Sequence, residues 1–174
     1  MKKMKKQISF AKIILFIFVA ALGIELGAGL YETFVVMPAW VSSPPESVIG
    51  YYRLNAANPQ FALNAGPRFW MFMTPFVGLM ALLALVTSFR TRPEHRKWRL
   101  AGTILALIVV AATFAWFVPN IIRLHSEAVL TMSGEQVTSL TNWWANLNWV
   151  RVVVYSAGWL AALKALTIPP ISES

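Results

Sequence analysis

A chain of 174 residues with 57% hydrophobic and only 13% charged positions is excluded from the ordinary soluble class, where about a quarter of residues are charged. Its net charge of +8 comes from 15 lysines and arginines against seven acids, all glutamate; the cations gather in two blocks, a topology signal, and no basic face interleaved with aromatics points to nucleic acid. Cysteine is absent, which removes disulfides, thiolate metal sites and dithiol redox chemistry.

Four apolar stretches, at about 10–37, 69–89, 100–124 and 147–166, are each long enough to cross roughly 30 Å of hydrocarbon as a helix. They predict an all-α integral membrane four-helix bundle, one domain over residues 1–174, with a short interfacial helix in the first outer loop. The first twelve residues, "MKKMKKQISFAK", carry five lysines and the following "IILFIFVAALG" has the look of a signal h-region, but the apolar run continues too far for one, so a retained anchor is expected. Within it Glu25 and Glu32 lie seven apart on one helical face, and "GIELG" at 23–27 has the small-xxx-small spacing that permits close helix contact.

In the loop after the first span, "SPPE" at 43–46 matches a capping box with Ser43 as cap and Glu46 reaching back. A helix should run from there to the turn at Asn58 and Pro59, with Val48, Ile49, Tyr52 and Leu54 toward the membrane. The second span carries Thr74 as its sole polar group before the inner end and reads as a packing element.

The third span ends in "FVPNIIRLHSEAV", where Pro119 predicts a kink and Asn120, Arg123 and Glu127 share one face, with Arg123 and Glu127 spaced to pair. The fourth places Trp144, Asn148, Arg151 and Tyr155 at spacings of four, three and four, again on one face.

Ten cations lie in the first twelve residues and at 90–99, against Arg53 and Arg68 in the 38–68 loop and none at 125–146. Both termini are therefore expected in the cytoplasm, in a bacterial plasma membrane, with tryptophans such as Trp40, Trp70 and Trp143 near the outer boundary. Reporter fusions at residues 94 and 135 should report opposite sides; one shared side for both would overturn the four-span reading.

With that topology Glu32, Asn120, Arg123, Asn148 and Arg151 fall at one depth, and a lone charge in hydrocarbon costs at least about 2.5 to 3.5 kcal/mol, so Glu32 should pair with Arg151 or Arg123. Glu25, deeper, has no cation at its level and is either protonated or facing water or a ligand. The two histidines fall at opposite sides of the membrane, and neither a metal nor a cofactor is expected.

The segments "GLYETFVVMPAWVSSPPES", "FVPN" and "WWANLNWVRVVVYSAGWLAALKAL" resemble the small four-helix membrane proteins of the anthrone-oxygenase-like group. The resemblance implies a four-span bundle and cofactor-independent oxidation of a lipophilic polycyclic phenol, with Glu32, Asn120, Asn148 and Arg151 as its polar set and Trp144 as an aromatic wall.

Two readings stay open. In the first the bundle binds or oxidises a phenolic or quinone-like compound: Glu32 or His125 acts as base, Arg151 and Asn148 stabilise an oxyanion, and Glu25, Asn120, Trp144 and Tyr155 bind substrate. In the second it is a non-catalytic accessory bundle whose polar cluster fixes helix register. The lipid bilayer is its partner in both, and a homo-oligomer stays open. A cavity lined by the polar set favours the first reading; a filled bundle with every polar group paired favours the second.

Overall fold

The computed structural model describes residues 10–58, 65–89, 91 and 93–168. Pro59, the lysines before Phe10, and Arg90 and Arg92 lie outside the described residues. The helices are α1 (Phe10–Tyr31), α2 (Pro38–Val41), α3 (Glu46–Ala57), α4 (Ala65–Ser88), α5 (Pro93–Ala112), α6 (Val118–Leu124) and α7 (Gly134–Thr167), with no strand among the described residues. Four continuous helical stretches, Phe10–Val41, Arg68–Ser88, His95–Leu124 and Gly134–Thr167, are long and apolar enough to cross a membrane. The protein is an all-α membrane bundle.

Two of the four stretches are not regular. A π-helical turn at Glu32–Val36 joins α1 to α2, and another at Thr113–Phe117 joins α5 to α6. Each is followed within two residues by a proline, Pro38 or Pro119, whose missing N–H leaves a carbonyl one turn back without its helical donor. The expected kink near Pro119 thus takes the form of a widened turn just before it, and the first span carries a second one that its sequence did not announce.

The fourth stretch starts at Gly134, well before the expected boundary near residue 147, because a capping box closes its end. Ser133 Oγ accepts from the Gln136 amide (3.2 Å) and Gln136 Oε1 from the Ser133 amide (3.0 Å). The box expected at Ser43 does not form. Helix α3 begins at Glu46 without a side-chain cap, and Ser47 Oγ instead accepts from the Ser43 amide (3.2 Å) while donating to the Trp40 carbonyl (2.7 Å). Ser47 thereby ties α3 to α2.

The spans alternate in direction. At the end carrying the termini, buried Arg99 donates to Thr87 Oγ1 (2.8 Å) on α4 and to the Ala11 carbonyl (3.2 Å) on α1, while His95 Nδ1 lies 3.2 Å from the Ala165 carbonyl on α7. His95 thus fastens α5 to α7. At the loop end Trp40, His125 and Trp144 meet. The apolar interior falls into two clusters: one around Phe18, Leu22, Val77 and Ala162 toward the termini, the other around Trp40, Val48, Phe117, Leu124 and Trp144 toward the loops.

Helices α5 and α7 approach most closely through Gly102, Gly158 and Ala162. A Cβ built on Gly102 would lie 2.9 Å from the Ala162 amide nitrogen and from the Gly158 carbonyl oxygen. Both helices carry a Gly-x-x-x-Ala pair here, Gly102 with Ala106 and Gly158 with Ala162, the small-residue spacing that brings membrane helices together. The "GIELG" pair does less: Gly23 meets the Trp159 indole, but nothing lies within 4 Å of a Cβ on Gly27.

Candidate functional site

A cavity of about 660 Å³ lies between the two apolar clusters, bounded by α1, α4, α5, α7 and, at the loop end, α3. Both π-helical turns face it: Glu32 and Val36 come from the first, Thr113, Phe114 and Phe117 from the second. Such turns recur at functional sites because the wider helix displaces side chains from the regular register. Aromatic walls come from Trp40, Tyr51, Phe69, Trp70, Phe117 and Trp144.

Helix α3 is more than an interfacial segment. Its buried Val48 and partly buried Ile49 and Tyr52 pack on the loop-end cluster, Tyr51 reaches the cavity, and Leu54 is exposed. The helix therefore covers the loop end of the cavity.

Toward the terminal end, Glu25 is 95% buried with one donor on each carboxylate oxygen: Thr74 Oγ1 donates to its Oε1 (2.7 Å) and the Tyr155 hydroxyl donates to its Oε2. Three helices, α1, α4 and α7, meet at this carboxyl group. Thr74, which reads as incidental in an apolar span, is one of its two ligands.

One turn along α7, Arg151 lies on the cavity with its guanidinium carbon 4.5 Å from the centre of the Phe117 ring and 5.8 Å from that of Trp144. Its Nη2 donates to Asn148 Oδ1 (2.6 Å). Asn148 itself is fully buried and does not reach the cavity; its Nδ2 donates to Thr33 Oγ1 (2.8 Å) and contacts Met37 Sδ (3.1 Å). Asn148 is thus a positioning residue that fixes the guanidinium from behind. Trp144 is held likewise, its Nε1 donating to the Phe117 carbonyl (3.3 Å) at the end of the π-helical turn. Glu32 lines the same cavity as Arg151, but no hydrogen bond or ion pair joins them: the direct pair expected from depth is replaced by the Arg151–Asn148 contact.

The segment "FVPNIIRLHSEAV" divides. His125 turns toward the cavity between Trp40 (ring centres 4.8 Å apart) and Tyr51 (5.0 Å), and its Nε2 is buried without a hydrogen-bond partner. Burial pushes its pKa down to about 4, so the imidazole is neutral at physiological pH. Asn120 is not brought to the cavity; its Nδ2 donates back to the Trp116 carbonyl (2.8 Å). Arg123 and Glu127 are exposed, and the helix ends at Leu124, so the spacing that would have paired them is interrupted. Arg123 faces a separate surface hollow with Trp116 and Trp143. Among the described residues, no three histidine or acidic side chains converge on a position that could hold a metal ion.

A family model described as anthrone oxygenase matches residues 68–161. That stretch runs from the start of the second span through most of α7 and includes Thr74, His125, Trp144, Asn148, Arg151 and Tyr155, whereas Glu25 and Glu32 precede it. No curated protein and no solved structure matches the chain.

Proposed function

The chain belongs to the anthrone oxygenase family, and from that premise we propose that it binds a lipophilic polycyclic phenol of the anthrone type in its intramembrane cavity and oxidises it with dioxygen. The observation that carries this reading is the cavity of about 660 Å³ itself: aromatic walls around a few convergent polar groups, Glu25, Glu32, His125 and Arg151. Such a chamber has the volume and lining of a small-molecule site. A bundle whose polar residues served only to fix register would be filled.

In this reading Glu32 is the base. It removes a proton from the ring methylene, and the resulting enolate oxygen is held by Arg151, whose guanidinium Asn148 has already oriented. The carbanion centre forms a C–O bond to dioxygen, and the peroxide so formed takes up the proton. Loss of the remaining ring proton with cleavage of the O–O bond then leaves a second carbonyl and releases water. One oxygen atom ends in the quinone and one in water. Neutral His125, with a free Nε2, suits a hydrogen-bond partner better than a strong base. Trp144 serves as wall, Glu25 and Tyr155 as binding groups, and Asn120, outside the cavity, takes no part in the scheme. The membrane placement proposed with it has both termini in the cytoplasm of a bacterial cell, which sets the α3-covered end of the cavity toward the outer leaflet.

Anthrone added to the detergent-solubilised protein should quench the tryptophan emission, because Trp40, Trp70 and Trp144 line the cavity, and should yield anthraquinone with matching oxygen uptake. Glu32→Gln should keep the quenching and lower turnover by about 10² to 10⁴, the usual contribution of a general base. Quenching without quinone formation would leave a binding protein and overturn the oxygenase reading; absence of both would overturn the cavity as a site for this class.

A further inference from the structure

The polar groups of the cavity are segregated by hydrogen-bonding sense. Toward the terminal end stand Glu25, Thr74 and Tyr155, each at least nine-tenths buried. Thr74 and Tyr155 have spent their only side-chain protons on the Glu25 carboxylate. A carboxylate donates nothing, and a hydroxyl whose proton is committed can only accept. This trio therefore offers the cavity acceptors alone. One helical turn along α7, about 6 Å at 1.5 Å per residue, Arg151 offers donors alone, with one of its five N–H groups committed to Asn148.

Burial makes the polarity selective. A donor brought beside the trio finds acceptors waiting, while an ether or carbonyl oxygen there meets like lone pairs that water can no longer solvate. A metal or organic cation would satisfy acceptors too, but the guanidinium on the same cavity opposes it.

We propose that Glu25, Thr74 and Tyr155 form a hydroxyl-reading subsite, which selects ligands carrying a phenolic O–H donor on one edge and a carbonyl or enolate oxygen on the opposite edge, the latter on Arg151. The subsite rests on the function proposed above and sets its orientation: the hydroxylated ring points toward the terminal end, and the oxygen that gains charge points toward Arg151.

The test uses three probes on the full-length protein, with tryptophan quenching as readout: unsubstituted anthrone, an anthrone hydroxylated at the ring edge remote from the carbonyl, and the methyl ether of that hydroxyl. The wild type should bind the hydroxylated probe at least about tenfold more tightly than its ether, the scale of one hydrogen bond made or lost in a buried site. Tyr155→Phe and Thr74→Val each remove one of the trio's acceptor oxygens while leaving the carboxylate in place, and should lower the preference without abolishing it; an unchanged preference in both would reduce the subsite to Glu25 alone and overturn the trio. Glu25→Gln presents an amide that can donate and should collapse it to about twofold or less. Should Glu25→Gln not fold, as judged by thermal unfolding, Glu25→Asp serves in its place: it withdraws the carboxylate by one methylene and should likewise reduce the preference. Equal affinity of the wild type for hydroxylated probe and ether overturns the subsite while leaving the cavity reading intact. Failure of all three probes to bind overturns that reading, and the subsite with it.

Discussion

Arg151→Leu should destabilise the protein by about 3 kcal/mol, the lower end of the range for stripping a buried charge of its partner. The lower end applies because Arg151 acts on the carboxylates across a shared cavity rather than by contact, its own hydrogen bond going to Asn148. Leucine fills much of the volume beside Phe117 and Trp144 but leaves Asn148 Oδ1 without its donor and both Glu25 and Glu32 in a chamber with no lysine or arginine on its walls. Adding Glu32→Gln removes one of the two uncompensated carboxylates and should restore part of the loss. Arg151→Lys keeps the charge but loses the planar fork that engages Asn148 and lies on the rings, so an intermediate effect is expected. Arg123→Leu, on the exposed hollow outside, should change stability by no more than about 0.5 kcal/mol. Reversible unfolding in mixed micelles measures all four; a silent Arg151→Leu, or a double variant whose losses simply add, would remove the electrostatic role assigned to this residue.

Gly102→Ala should be comparably damaging, although it adds one methyl group. The methyl would sit 2.9 Å from the Ala162 amide nitrogen, the Gly158 carbonyl oxygen and the Ala162 Cβ. Backbone cannot rotate aside as a side chain can, so α5 and α7 must separate. Overpacking of this kind costs about 1 to 3 kcal/mol, and since the same two helices carry the π-helical turn and Arg151, the cavity should widen with it. Gly27→Ala, equally helical but with nothing within 4 Å of the added carbon, should instead gain up to about 1 kcal/mol from helix propensity. Unfolding midpoints of the two variants should therefore move in opposite directions. Equal shifts would mean that helix propensity, not the α5–α7 contact, sets the response to glycine substitution.

The faces of the regular helices were legible from residue numbers. Glu25 with Glu32, and Trp144 with Arg151 and Tyr155, line one cavity as their spacing predicts. Asn148 belongs to the same row, yet it points behind the guanidinium to Thr33; a helical face spans enough arc for one member to face a cavity and its neighbour a seam. In the third span the cavity-facing side departs from the regular period where the helix widens. A π-helical turn inserts one extra residue, and at 3.6 residues per turn that rotates everything beyond it by about 100°. Asn120 and His125 lie beyond such a turn, and the cavity receives His125 rather than Asn120.

The sequence by itself determined the class, the four spans and the resemblance to a family, because hydropathy over twenty residues, cation placement and helical period are local quantities that no partner is needed to evaluate. Only the tertiary structure decided which groups meet: Thr74 with Glu25, His125 between Trp40 and Tyr51, Gly102 against the backbone of α7. Period fixes which residues of a helix share a face but leaves its rotation about the bundle axis and its depth beside its neighbours free. Those two variables are set jointly by the close contact at Gly102, by the phase shifts at the two π-helical turns and by the need to satisfy buried polar groups, so they exist only once all four spans have packed.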